Sequence, residues 1–136
     1  MAVDTGAAPA TIAPDVLESL HTTVRGRIVT PGDADYDAMR GIVYGGFDPR
    51  PAAIVRVLDA ADIAAVVRIA ATTGIPLAVR GGGHSNAGHS SVDHGLVIDL
   101  REMHTIEIDP VTRTAWAQAG ATAAELTQAA GEHGLV

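Results

Sequence analysis

The sequence predicts an α+β fold in which a small mixed sheet, organised by a βαβ unit, is flanked by helices. Three observations carry this expectation. Between Ala52 and Val79 an apolar run, an amphipathic helical stretch and a second apolar run succeed one another. A further apolar run at 95–100 and a hairpin pattern over 104–118 supply more strands. Of the 136 residues 47% are hydrophobic and only 3% aromatic, so the chain has enough apolar surface to fold, and its core must be aliphatic.

Taken in order, residues 1–14 are rich in Ala, Pro and Thr and read as a disordered arm. Asp15–Thr23 is a short helix with Val16, Leu17 and Leu20 on one side. Gly26–Thr30 is a short strand closed by a turn at Pro31-Gly32-Asp33. The stretch 33–44, with Asp33, Asp35 and Asp37, reads as a loop or a single helical turn, and 45–51 as irregular. Residues 15–50 thus form a lead-in to the main unit.

That unit begins with a buried strand at Ala52–Val57. Asp59 caps the next helix, Asp62 lies in its first turn, and Ile63, Val66, Val67 and Ala70 recur at helical spacing. Gly74 stands where a left-handed cap belongs and Pro76 stops the helix. Leu77–Val79 is the second strand, expected to run parallel to the first. Gly95–Leu100 is a third strand. His104–Ile108 and Thr114–Gln118 form a hairpin around Asp109–Arg113, with Trp116 read as a packing residue. Thr122 and Glu125 make a capping box, Leu126, Ala129 and Ala130 continue the helix face, Gly131 weakens it and Gly134 ends it.

Composition excludes several functions. The formal charge is −7, with nine arginines and no lysine, which argues against a nucleic-acid partner. Without lysine there is neither a P-loop nor a Schiff base. Without cysteine there is no disulfide, thiolate metal site or thiol nucleophile. No signal peptide or membrane span is legible, so a soluble cytoplasmic protein is expected.

The chemistry concentrates in Val79-Arg80-Gly81-Gly82-Gly83-His84-Ser85-Asn86-Ala87-Gly88-His89, which leaves the carboxyl end of the second strand, where open α/β sheets commonly hold cofactors. Consecutive glycines let successive amides line a concavity that accepts an anion, typically a phosphate. Arg80, Ser85 and Asn86 flank the run with donors, and His84 puts an imidazole beside whatever the backbone cradles. The spacing is not Gly-x-Gly-x-x-Gly, and the stretch from Ser85 to Ser91 has no helical pattern, so a Rossmann fingerprint is excluded. A mobile glycine-rich turn with a surface histidine is the plain alternative. His84, His89 and His94 stand five apart, which neither a strand nor a helix converges on one metal. Asp99 could orient backbone or cap a turn.

The run Ile75-Pro-Leu-Ala-Val-Arg-Gly-Gly-Gly-His-Ser-Asn-Ala-Gly-His-Ser, then Gly95-Leu-Val-Ile-Asp-Leu and Gln118-Ala-Gly-Ala, resembles the bacterial berberine-bridge-enzyme-like flavoproteins. These have the vanillyl-alcohol-oxidase/p-cresol-methylhydroxylase (PCMH) type of FAD-binding fold, and the likeness runs from Pro51 to the end. The resemblance implies an FAD-dependent oxidoreductase that oxidises an alcohol, sugar or related small molecule by hydride transfer. It implies that Arg80, Gly81, Gly82, Gly83, His84 and Ser85 surround the FAD pyrophosphate, with Asn86, Gly88 and His89 as continuing contacts. His84 matches the histidine joined to the 8α-methyl of the flavin, a bond that a neutral imidazole nitrogen can form by attack on an electrophilic flavin methylene. The cysteine that gives many relatives a second link has no counterpart here, nor have the substrate-covering domain and its acid or tyrosine. Residues 51–136 therefore read as the first FAD-binding lobe, inactive by itself. The alternative is a non-catalytic nucleotide- or partner-binding lobe.

Overall fold

The structure is a computed structural model and describes residues 10–43 and 46–135. Expectations for residues 1–9, Tyr44, Gly45 and Val136 lie outside the described residues. The elements are α1 (Pro14–Thr23), β1 (Arg27–Val29), α2 (Tyr36–Arg40), β2 (Ala53–Arg56), α3 (Ala60–Thr73), β3 (Leu77–Arg80), β4 (Leu96–Asp99), β5 (Ile106–Asp109), β6 (Thr114–Ala117) and α4 (Ala123–Gly131). The α+β expectation holds. Ala10, within the stretch read as an arm, is buried, and α1 opens on Pro14, whose missing N–H costs nothing at that position.

The main sheet is mixed, in the order β1-β2-β4-β3. β1 runs antiparallel to β2, while β2 and β3 both run parallel to β4. The two strands of the βαβ unit are thus parallel, but β4 lies between them. The burial of each strand explains the order. All four residues of β4 are buried and β2 is nearly so, whereas β3 exposes Val79. The strands apolar on both faces take the centre, where both faces are covered.

Alternation along the strands builds two half-cores. Ala53, Val55, Leu96 and Ile98 pack with α1 and α3 through Val16, Leu20, Ala65 and Val66. Ile54 and Val97 face the other way, onto Val29, Ala78 and the α2 residues Tyr36 and Met39. The stretch that sequence left open as a loop or a single turn is the five-residue helix α2. Its three nearby acids act separately. Asp33 accepts from the Thr30 amide and hydroxyl, Asp35 pairs with Arg27, and Asp37 with Arg40.

Helix α3 obeys its sequence signals. The Asp59 carboxylate accepts from the amides of Ala61 and Asp62, and Gly74 closes the helix in the left-handed region with φ 71°. Asp62 does more than favour the helix dipole. It is buried and accepts from the amides of Arg25 (3.0 Å), Gly26 (3.1 Å) and Leu58 (3.0 Å), tying β1's approach to the end of β2. Burial pushes its pKa up, but these three donors outweigh it and hold the carboxyl below the ordinary value. Asp62→Ala orphans all three amides and is expected to cost on the order of 3 kcal/mol, read as a lowered urea midpoint.

β5 and β6 form a separate two-stranded sheet. Here one expectation is corrected: Trp116 is 58% exposed and does not pack. The register explains why. Ile106 faces Ala117 and Ile108 faces Ala115, on the side toward α4, while Trp116 shares the outer face with Glu107. Among the described residues no helix is long and apolar enough to cross a membrane.

Candidate functional site

The glycine loop starts where β3 ends, and its foundation is ionic. Register places Arg80 opposite Asp99 at the carboxyl ends of β3 and β4. Arg80 is 2% exposed and Asp99 0%. Arg80 Nη2 donates to Asp99 Oδ2 at 2.9 Å, and Nη1 reaches toward the carbonyls of Arg40 and Gly41 at 3.4 Å. Arg80 therefore lies under the loop with its charge spent inside the protein.

Asp99 carries a second guanidinium. Arg101 Nε lies 3.0 Å from both carboxylate oxygens, its Nη2 lies 2.6 Å from Oδ2, and its amide donates to Oδ1 at 3.1 Å. Burial acts to raise the Asp99 pKa. The Arg101 side chain and amide, together with Arg80, reverse this and hold it below the usual carboxylate range.

Above this base the chain turns sharply. Gly83 has φ 73°, a region that L side chains rarely adopt, and its carbonyl accepts from the Val43 amide at 3.3 Å. Among the described residues the amides of Gly81, Gly82 and Gly83 have no protein acceptor. The His84 ring folds back over Gly82, where an added Cβ would meet its Cδ2 at 2.7 Å. Gly82, His84 and Arg101 form one wall of a cleft of about 480 Å³, and residues 120–123, leading into α4, form the other.

That second wall is set by two features. Gly120 is wedged against the carbonyls of Leu100 and Met103 and donates its amide to Met103 at 2.9 Å. The predicted capping box is present: Thr122 Oγ1 accepts from the Glu125 amide, and Glu125 accepts from the Thr122 amide.

The remaining residues singled out by sequence lie further on. Ser85 Oγ accepts from the His89 amide at 3.0 Å and the Ser85 carbonyl from the Gly88 amide at 3.1 Å, so Ser85, Asn86, Gly88 and His89 make a tight turn. Gly88, with φ 77°, abuts the Phe47 ring in a separate hollow of about 250 Å³ that Asp93 also lines. The structure therefore brings Gly82 and His84 to the large cleft, places Arg80 beneath it, and carries Gly88 to another hollow. Among the described residues no three His, Asp or Glu side chains converge as a metal site.

Sequence reasoning passes over Arg101 and gives Asp99 only a minor capping role. Arg101 comes after a strand with no motif around it, and only the register of β3 against β4 joins the two arginines to one acid.

The cleft fits a phosphate-bearing cofactor. It has the unpartnered amide of Gly82, a guanidinium on the wall, and room beside an imidazole. Comparison with known proteins agrees. Residues 51–136 match the family described as FAD binding domain. The chain is 36% identical over 113 residues to (R)-6-hydroxynicotine oxidase of Paenarthrobacter nicotinovorans, covering 83% of this chain and 25% of that protein. It is 40% identical over 81 residues to berberine bridge enzyme-like 28 of Arabidopsis thaliana, covering 57% of this chain and 15% of that protein. Among solved structures, 6-hydroxy-D-nicotine oxidase from Arthrobacter nicotinovorans superposes with a TM-score of 0.78 at 36% identity, over 82% of this chain and 24% of that one. A variant of Phl p 4, described as a glucose dehydrogenase, gives 0.79 at 25% identity, over 88% and 26%. The chain thus spans about a quarter or less of the length of these relatives. It belongs to the FAD binding domain family, and its relatives include berberine-bridge-enzyme-like proteins and FAD-linked oxidoreductases.

Proposed function

We propose that this chain is the first FAD-binding lobe, residues 51–136, of an oxidoreductase in which His84 carries the flavin covalently. The substrate is a small alcohol, sugar or related molecule that gives up a hydride. The observation that supports this most directly is that His84 and Gly82, whose amide has no protein acceptor among the described residues, line one cleft. When bound, FAD supplies the two-electron acceptor.

The chain's own residues have separable tasks in this reading. Gly81, Gly82 and Gly83 offer amides to the diphosphate, and Ser85 fixes the turn that holds His84 at the cleft edge. Arg80 works from below as an anchor of the loop, while Asn86, Gly88 and His89 shape the loop's return.

Acid precipitation of the full-length protein tests the tether. Yellow colour is expected to stay with the pellet and, in His84→Ala, to move wholly to the supernatant. Colour released entirely from the parent, or retained by the variant, would overturn the assignment of His84.

A further inference from the structure

We propose that Arg101 is the residue that neutralises the cofactor's diphosphate, presented to the His84 cleft as a pre-oriented guanidinium by Asp99. The inference rests on the FAD reading of this cleft and extends it to a residue outside the glycine motif.

An anion in the glycine loop needs a cation, and Arg80 is the sequence's obvious candidate. It is buried and ion-paired beneath the loop, so it offers the cleft no free edge. Arg101 is the arginine on the cleft wall, and its side chain is 43% exposed.

Its orientation is not left to chance. Two nitrogens, Nε and Nη2, are held by the Asp99 carboxylate at 2.6–3.0 Å, which fixes the plane of the group. Nη1 has no partner among the described residues and remains on the other side of the fork. A planar fork fixed along one edge suits the paired oxygens of a phosphate better than a mobile ammonium would.

The local charge balance agrees. One carboxylate, Asp99, serves two guanidiniums, so this cluster carries an excess of one positive charge in a chain whose formal charge is −7. The nearby acids have partners of their own: Glu102 is paired with Arg56, although its charge also reaches Arg101, and Glu125 is turned back onto Thr122 and His104. The opposite wall, residues 120–123, carries no acidic side chain.

The test separates the diphosphate from the flavin ring. In full-length protein carrying His84→Ala, so that flavin binds reversibly, FAD and riboflavin affinities are measured by fluorescence quenching with Arg101 intact and with Arg101→Gln. Riboflavin has the ring and no phosphate. Arg101→Gln is expected to weaken FAD about tenfold or more, to change riboflavin less than about twofold, and to flatten the salt dependence of FAD binding, with partial rescue by Arg101→Lys. Equal loss for both ligands, or no loss for either, would overturn the assignment. A parent that binds neither flavin would overturn the FAD reading beneath it, a result distinct from both. With His84 in place, the FAD concentration giving half-maximal covalent loading should rise in Arg101→Gln while the limiting rate stays unchanged. A lower limiting rate at unchanged half-saturation would count against the proposal.

Discussion

Replacing Asp99 with Asn is expected to lower the unfolding free energy by about 3–5 kcal/mol, the usual cost of breaking a buried ion pair from one side. The carboxylate has no solvent exposure, and Arg80 beside it has almost none. The substitution keeps the volume but leaves the Arg80 guanidinium in the interior without a counter-charge. Its Nε already lacks a partner, and the carbonyls of Arg40 and Gly41, 3.4 Å from Nη1, are neutral acceptors that cannot replace the charge. Against a typical total of about 5–15 kcal/mol the loss is about a fifth of the fold's stability or more. Arg101→Gln removes the half-exposed partner and leaves Arg80 paired with the carboxylate, and should cost clearly less than Asp99→Asn. The contrast separates the buried anchor from the exposed arm on the same carboxylate, and urea denaturation of the two variants measures it.

The pH dependence of that difference has a definite sign. The folded-state pKa of Asp99 lies below the unfolded value of about 3.9. The stability it contributes is therefore fully present above about pH 4 and is lost as pH falls through the folded value. Parent and Asp99→Asn should differ most near neutrality and converge in acid. A gap that stayed constant down to low pH would mean that the carboxylate's charge is not what stabilises the site.

Gly120→Ala is expected to be the second large effect, at about 3 kcal/mol or somewhat more. A Cβ at this position would run into the carbonyl oxygen of Leu100 and lie 2.7 Å from that of Met103. Both obstacles are backbone, so no side chain can swing aside. The Met103 carbonyl is also the acceptor of the Gly120 amide, so a shift that relieves the clash strains that bond. The displaced segment leads into Thr122 and α4, which form the far wall of the His84 cleft. Gly131→Ala, where an added Cβ meets nothing within 4 Å, is the control with the opposite sign. It should stabilise α4 by up to about 1 kcal/mol, since Ala loses less freedom than Gly in a helix. Thermal unfolding that moved both variants in the same direction would contradict the steric account of Gly120.

Much of the architecture is legible in the sequence because its causes are local. Asp59 with Gly74 delimits α3, and Thr122 with Glu125 opens α4, through contacts spanning three or four residues. The hairpin over β5 and β6 arises from alternation in the same way. Trp116 defeats the sequence reading because alternation says only that two faces exist. Which face meets α4 is settled by packing, and that leaves Ile106 and Ile108 half-buried.

By itself the sequence determined the α+β class, the parallel βαβ unit, the glycine loop at the carboxyl end of β3 and the histidine that closes it. Those are matters of period, capping and residue type within short windows. Only the tertiary structure decided that β4 inserts between β2 and β3, and with it that Asp99 meets Arg80 and Arg101 under the loop. Arg80 and Asp99, far apart in the chain, become neighbours through strand register, which depends on how apolar faces are shared across the whole sheet. The same long-range packing sinks Arg80 beneath the loop that it borders in sequence and leaves Arg101 on the cleft wall.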